Sequence, residues 1–247
     1  MSTLKKVLTQ KIDAHRPRIT RLVKECGDVK LGDVTIAQAI GGARGVKCLV
    51  TDISYLDPFE GIRFRGLTIP ETFAALPKVP GSEYPYVEGF WYMLFTGDVP
   101  TMEQTLEVVA EWQKNSAVPQ YVYDVLDALP DDAHPMAMFS SAVLAMQRDS
   151  VFAKNYRDGK FNKMTCWEDM YEDSNNMMAK LGPIGAYIYN KKYRNNDQIA
   201  ADPNLDMGGN FAHMIGQSDD YKDVSRMYFI LHSDHESGNV TAHTTHL

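Results

Sequence analysis

The chain of 247 residues reads as a mainly α fold with a few short β-strands near its N-terminus. Three observations carry that reading. Apolar residues recur at helical spacing, as at Leu4, Val7, Leu8 and Ile12, at Leu106, Val109 and Trp112, and at Val224, Met227, Tyr228 and Leu231. Met136 to Met146 is apolar nearly all round, the pattern of a helix covered on every side. Strand-like runs rich in Val, Ile and Thr are confined to the N-terminal part, at 29–36 and 48–54.

Taken in order, an amphipathic helix opens at Leu4. Pro17 should kink or restart it before it ends near Gly27. Ile62-Arg63-Phe64-Arg65 alternates as a half-exposed strand does. Pro70 suits a first helical position, and Pro85 introduces a helix through Phe90, Trp91, Met93, Leu94 and Phe95 that stops at Gly97. Thr101-Met-Glu-Gln104 is a capping-box pattern that starts the next helix, and a further one spans about 119–129 up to Pro130. Residues 166–190 predict a longer helix interrupted at Gly182-Pro183. The Asn-, Asp-, Gly- and Pro-bearing stretch 194–209 predicts a loop.

Charge and cysteine usage bound the function. A net charge of −7 argues against a nucleic-acid binder, whose contact face is basic. No apolar run reaches the length of about 18 residues that a membrane span needs. Cys26, Cys48 and Cys166 are odd in number and widely spaced, which suits a reducing compartment better than a disulfide framework or a zinc site. The N-terminus lacks a secretory apolar segment. The expected compartment is therefore the cytosol, or the mitochondrial matrix where a leader has been removed.

The C-terminal stretch His232 to Leu247 concentrates the chemistry, with four of the seven histidines. Gly238 and Asn239 break one helical pattern, and Val240, His243, Thr244 and Leu247 begin another, so two helices should meet at a polar corner carrying His235 and Asn239. Three readings fit that corner. His232/His235 or His243/His246, three residues apart, could chelate a metal, though without nearby cysteine or a His-Glu-x-x-His pattern. The histidines could instead serve packing and capping, which is the preferred role for His232, His243 and His246. Or the corner could bind an anionic carboxylate, for which imidazole donors and a helix N-terminus are suited.

The motif His232-Ser-Asp-His-Glu-x-Gly-Asn239, followed by Ala242-His-Thr-x-His-Leu247, resembles the signature of the citrate synthase family of eukaryotic-like type. Gly41-Gly-Ala-Arg-Gly-Val-Lys47, Leu56-Asp-Pro-x-Glu-Gly-Ile-Arg-Phe-Arg-Gly66 with Ile69-Pro-Glu71, and Trp167-Glu-x-x-Tyr-Glu-Asp173 resemble further family segments in the family's order. The resemblance implies an acyltransferase that condenses acetyl-CoA with oxaloacetate to citrate. It implies no metal or other cofactor, coenzyme A entering as the substrate's thioester. By the family pattern His235 hydrogen-bonds oxaloacetate and Asn239 lines the same pocket. Arg44, in the glycine-rich turn, meets the phosphates of coenzyme A, and Lys163 stands where the family commonly has an arginine on a coenzyme A phosphate. Ser237 replaces a usual glycine. Arg63 and Arg65 are read as scaffold ion pairs.

The resemblance further implies a homodimer, built on the apolar 136–146 helix, the neighbouring aromatic helix and the two C-terminal helices. Residues 1–247 then correspond to the N-terminal part of the family's large domain, without the rest of that domain or the small domain. No main catalytic residue falls within them, so they are expected to be inactive alone. Two other readings compete: a 2-methylcitrate synthase using propionyl-CoA, and a non-catalytic helical assembly module.

Overall fold

The computed structural model describes residues 2–41, 46, 50–57 and 59–235. The second C-terminal helix expected from Val240 onward lies outside them, as do Arg44 and Asn239. Helix α1 spans Thr3–Cys26 without interruption, with the Ser2 side chain accepting from Lys5 N. The expected break at Pro17 does not occur. Pro17 and Asp13, whose carbonyl the missing N–H leaves free, are both exposed, so water can satisfy that carbonyl.

The strand expected at 29–36 is absent. Thr35 instead closes a capping box with Gln38 and starts helix α2, Ile36–Ile40, a local hydrogen-bond pattern that overrides β-branched propensity. Residues 50–53 also form no strand. The sheet begins with β1, Ser54–Asp57, and continues with β2, Gly61–Phe64, and β3, Leu67–Thr68, in antiparallel order β1-β2-β3. Ser54 pairs with Phe64 and Arg63 with Thr68. Arg65 and Gly66 turn β2 into β3 with φ of 48° and 88°, a two-residue hairpin loop of the kind that matches strand twist.

Helix α3, Ile69–Ala75, follows with Pro70 in its first turn and a capping box between Thr68 and Glu71. Helix α4 is Val87–Thr96 and ends at Gly97, whose φ is 78°. Pro85 precedes it in a bridge to Lys78 rather than beginning it. Helix α5, Met102–Asn115, has the expected Thr101–Gln104 capping box. Helices α6, Gln120–Ala128, and α7, Pro135–Met146, follow, then a 3-10 turn over Gln147–Asp149 and helix α8, Val151–Arg157. Helix α9 runs from Cys166 to Tyr193 straight through Gly182-Pro183. Helix α10, Met207–Met214, cuts into the stretch expected to be loop, and α11 is Asp220–Leu231.

The chain divides into two compact units. One comprises Met1–Leu76, Phe90–Pro100 and Ile230–Leu247; the other comprises Pro77–Gly89 and Thr101–Phe229. In the first, Phe64 and Phe90 are both buried and meet edge-to-face with centroids 4.9 Å apart. Arg65 Nε donates to Leu94 O at 3.0 Å, at the C-terminal end of α4, and its Nη1 pairs with Asp52 at 2.7 Å. Arg63 pairs with Glu60 at 2.5 Å. Both arginines are scaffold ion pairs, as expected.

In the second unit α9 is the central element, packed against α5, α7, α8 and α10. Val122 and Leu126 of α6, Met138 and Ala142 of α7, and Ile184 and Ile188 of α9 form one buried cluster. Full burial of an aliphatic side chain stabilises by about 1.5–3 kcal/mol. Ile184 and Ile188 together thus outweigh the cost of roughly 3 kcal/mol for an interior proline, which is why α9 continues past Pro183.

Two faces differ from expectation. Helix α7 buries only one stripe: Met136 is 63% and Leu144 74% exposed. In α11 the apolar stripe is not the buried one. Val224 and Tyr228 are exposed, while Ser225, Arg226 and Ile230 are buried.

Candidate functional site

Of the four residues expected to bind substrate, His235 and Lys163 lie among the described residues. Arg44 and Asn239 lie outside them. His235 belongs to the first unit and Lys163 to the second.

His235 lies four residues past the end of α11. Past Leu231 the chain leaves the helix through His232 and Ser233, and Ser233 Oγ donates to Ile230 O at 2.8 Å, which covers a carbonyl at the helix end. His235 is exposed, so its ring edges can reach a ligand. His232, the other half of the possible chelating pair, lies in the turn before it, and no group of three His, Cys, Asp or Glu arranged to hold a metal exists among the described residues.

Lys163 sits in an exposed turn just before α9. Asn162 builds that turn: its Oδ1 accepts from Met164 N at 2.9 Å, and its carbonyl accepts from Thr165 N at 3.1 Å and Cys166 N at 2.8 Å. Phe161 anchors it edge-on against Phe152 and Tyr156, at 6.0 and 5.8 Å between centroids. Lys163 therefore presents an ammonium in solvent from an ordered turn, a geometry that suits a phosphate as a point charge.

Sequence patterning missed the cluster that fixes α11. Arg226 is 4% exposed and grips Asp206 in a fork, Nη2 to Oδ1 at 2.6 Å and Nε to Oδ2 at 2.9 Å, while Nη1 donates to Asp223 at 2.6 Å. The glycines of α10 make room for it. A Cβ on Gly208 would lie 2.7 Å from Arg226 Cγ, and one on Gly209 would lie 2.8 Å from Asp206 Oδ1. Glu88 is 1% exposed; its Oε1 accepts from Met207 N at 2.8 Å, and its Oε2 has no hydrogen-bond partner. Burial first, then repulsion from Asp206, pushes the Glu88 carboxyl up to about 7, against the opposing pull of the Met207 amide and Arg226. The available signals were weak: an Asp before a Gly-Gly pair, and an arginine that periodicity assigns to solvent.

The described residues thus form a mainly helical chain that exposes an imidazole past the end of α11 and an ammonium in the turn before α9. Comparison with known proteins narrows this. The family described as Citrate synthase, C-terminal domain, matches residues 42–247. The chain is 45% identical over 245 residues to Citrate synthase 4, mitochondrial, of Arabidopsis thaliana, covering 99% of this chain and 52% of that protein. It is 45% identical over 248 residues to the probable mitochondrial citrate synthase of Glossina morsitans morsitans, covering 100% of this chain and 53% of that one. Among solved structures, the citrate synthase of Pyrobaculum aerophilum aligns with a TM-score of 0.67 at 22% identity over 84% of this chain and 51% of that one. The Thermoplasma acidophilum citrate synthase, solved in a ternary complex with carboxymethyl coenzyme A and oxaloacetate, aligns with a TM-score of 0.63 at 21% identity, over 83% and 49%. The chain belongs to the citrate synthase family. It spans about half the length of the curated relatives it matches.

Proposed function

We propose that this chain supplies part of the substrate-binding apparatus of a citrate synthase, which joins the methyl carbon of acetyl-CoA to the keto carbon of oxaloacetate and releases citrate and coenzyme A. The observation that carries the proposal is the 45% identity to citrate synthases over 99% of the chain. On this reading His235 donates a hydrogen bond to oxaloacetate and Asn239 lines the same pocket, while Arg44 and Lys163 hold coenzyme A phosphates. The exposure of His235 and the ordered, exposed turn of Lys163 agree with those roles. The relative from Thermoplasma acidophilum, bound to oxaloacetate and a coenzyme A derivative, supports the choice of ligands.

The reaction also needs a base for a weakly acidic methyl group and donors for the enolate and the ketone. We assign none of these to residues 1–247, and no cofactor or metal is required on this reading. These residues represent the N-terminal part of the family's large domain. The mitochondrial relatives favour the matrix over the cytosol as the compartment. The exposed apolar face of α7 favours a homodimer.

The test is binding of coenzyme A by calorimetry, together with a citrate assay on the purified 247-residue chain. Arg44→Ala and Lys163→Ala should each weaken binding by roughly tenfold, the size of a lost charged hydrogen bond, and citrate should not form. Unchanged coenzyme A affinity in both variants would remove the phosphate assignment. Citrate formation by the chain alone would overturn its reading as a binding portion.

A further inference from the structure

The second unit contains a solvent-open cavity of about 350 Å³ lined by α7, the 3-10 turn, α8 and α9, and neither Lys163 nor His235 lines it. Its volume falls within the usual range of small-molecule sites, roughly 300–1,000 Å³. Val143, Met146, Phe152, Met170 and Met177 provide apolar walls. Thioether side chains adapt to flat or aliphatic bodies better than branched ones do.

The charged groups around this cavity are two carboxylates that accept hydrogen bonds and one ammonium bonded only to neutral carbonyls. Asp173 accepts from Val151 N at 2.7 Å, Ser150 Oγ at 2.6 Å and Phe152 N at 3.1 Å. Asp149 accepts from the Tyr121 hydroxyl at 2.8 Å. Lys180 donates to two neutral carbonyls, Asn115 O at 2.8 Å and Asn176 O at 3.1 Å. An ammonium has three N–H donors, so one remains. Among the described residues no carboxylate lies within ion-pair distance of Lys180. The cavity thus combines apolar walls with one cation that has no carboxylate in direct contact, Asp149 acting on it only at longer range, and such a site suits an amphipathic anion.

We propose that this cavity binds a small amphipathic anion, with an aliphatic or aromatic body against the methionines and a carboxylate or phosphate group on Lys180 Nζ. Burial pushes the Lys180 ammonium down from its ordinary range, with the more distant Asp149 carboxylate pulling the other way, so the charge is held there at a cost. An anion seated on Nζ relieves that cost. The proposal stands independently of the coenzyme A and oxaloacetate roles, because none of those residues lines the cavity.

The experiment titrates octanoate, phenyl phosphate and octanol into the 247-residue chain by calorimetry, with the wild type and three variants. Octanoate should bind saturably at one site, and octanol, the same body without charge, about tenfold more weakly or worse. Lys180→Met should lower octanoate affinity by about the same factor and leave octanol unchanged. Lys180→Arg should keep most of it, since the charge stays. If Lys180→Met loses its cooperative melt, Met177→Glu answers from the exposed rim: a glutamate three residues before Lys180 on α9 neutralises it and should weaken octanoate similarly. Phenyl phosphate binding more tightly than octanoate assigns a phosphate head, and the reverse assigns a carboxylate. Equal affinity for octanoate and octanol, octanoate binding indifferent to Lys180→Met and Met177→Glu, or no saturable binding of any probe would overturn the proposal.

Discussion

Glu88 and Asp206 are two buried carboxyls near one guanidinium, and Arg226 forks onto Asp206 alone. Because Glu88 is raised to about 7 from 4.5, the folded chain keeps a proton that the unfolded chain has given up between those values. Its stabilising effect is therefore complete below about pH 4.5 and lost as pH rises through 7. The expected size is on the order of 3 kcal/mol. Glu88→Gln should abolish that slope, so urea midpoints of the variant should gain on the wild type between pH 5 and pH 8; a constant gap would refute the assignment. Arg226→Leu should cost about 3–5 kcal/mol, because it strands Asp206 without its counter-charge. A matching fall in the urea midpoint checks it. None of this could be read from the chain, since periodicity marks arginine as a surface residue and only the packed structure shows Gly208 and Gly209 clearing space for it. By contrast His235 and Lys163, which the motifs singled out, lie near helix ends, four residues past α11 and three before α9, and both are exposed.

The start of α5 was readable because its cap and partner, Thr101 and Gln104, lie three residues apart. Thr35 and Gln38 have the same spacing, but the β-branched residues before them masked the start of α2. Helix α8 was not readable, because its decisive acceptor comes from another element. Asp173 of α9 takes the Val151 and Phe152 amides and the Ser150 hydroxyl, satisfying donors that a helix N-terminus leaves open. Asp173→Ala should therefore cost about 1–3 kcal/mol, the price of stranding three half-buried donors. Amide exchange should quicken first in 151–157 while the 184–188 segment keeps its protection. Uniform loss across both segments would show that Asp173 supports the whole unit instead. The two prolines that sequence rules read as breaks, Pro17 and Pro183, failed as predictors for opposite reasons. Pro17 is tolerated because water reaches the freed carbonyl, Pro183 because core burial on α9 exceeds the local loss.

Among the described residues, α7 carries an exposed apolar face that the chain's own packing does not cover. Helix α7 is apolar all round, yet only Met138 and Ala142 are sealed, against α6 and α9, while Met136 and Leu144 stand in water. Large exposed aliphatic side chains on a single helix face mark a contact surface when they are grouped. A two-fold pairing of this face with its copy in a second chain would remove both residues from water. The expected outcome is a concentration-dependent dimer in sedimentation experiments. Leu144→Asp should shift it to monomer by placing like charges opposite one another in the pair. Because Leu144 is 74% exposed in the single chain, the substitution should change the helical circular dichroism little and the unfolding free energy of the monomer by no more than a surface change does, about 0.5 kcal/mol. A dimer that persists in Leu144→Asp would move the interface to another face, and a wild type that stays monomeric at all concentrations would leave α7 without a partner among copies of this chain.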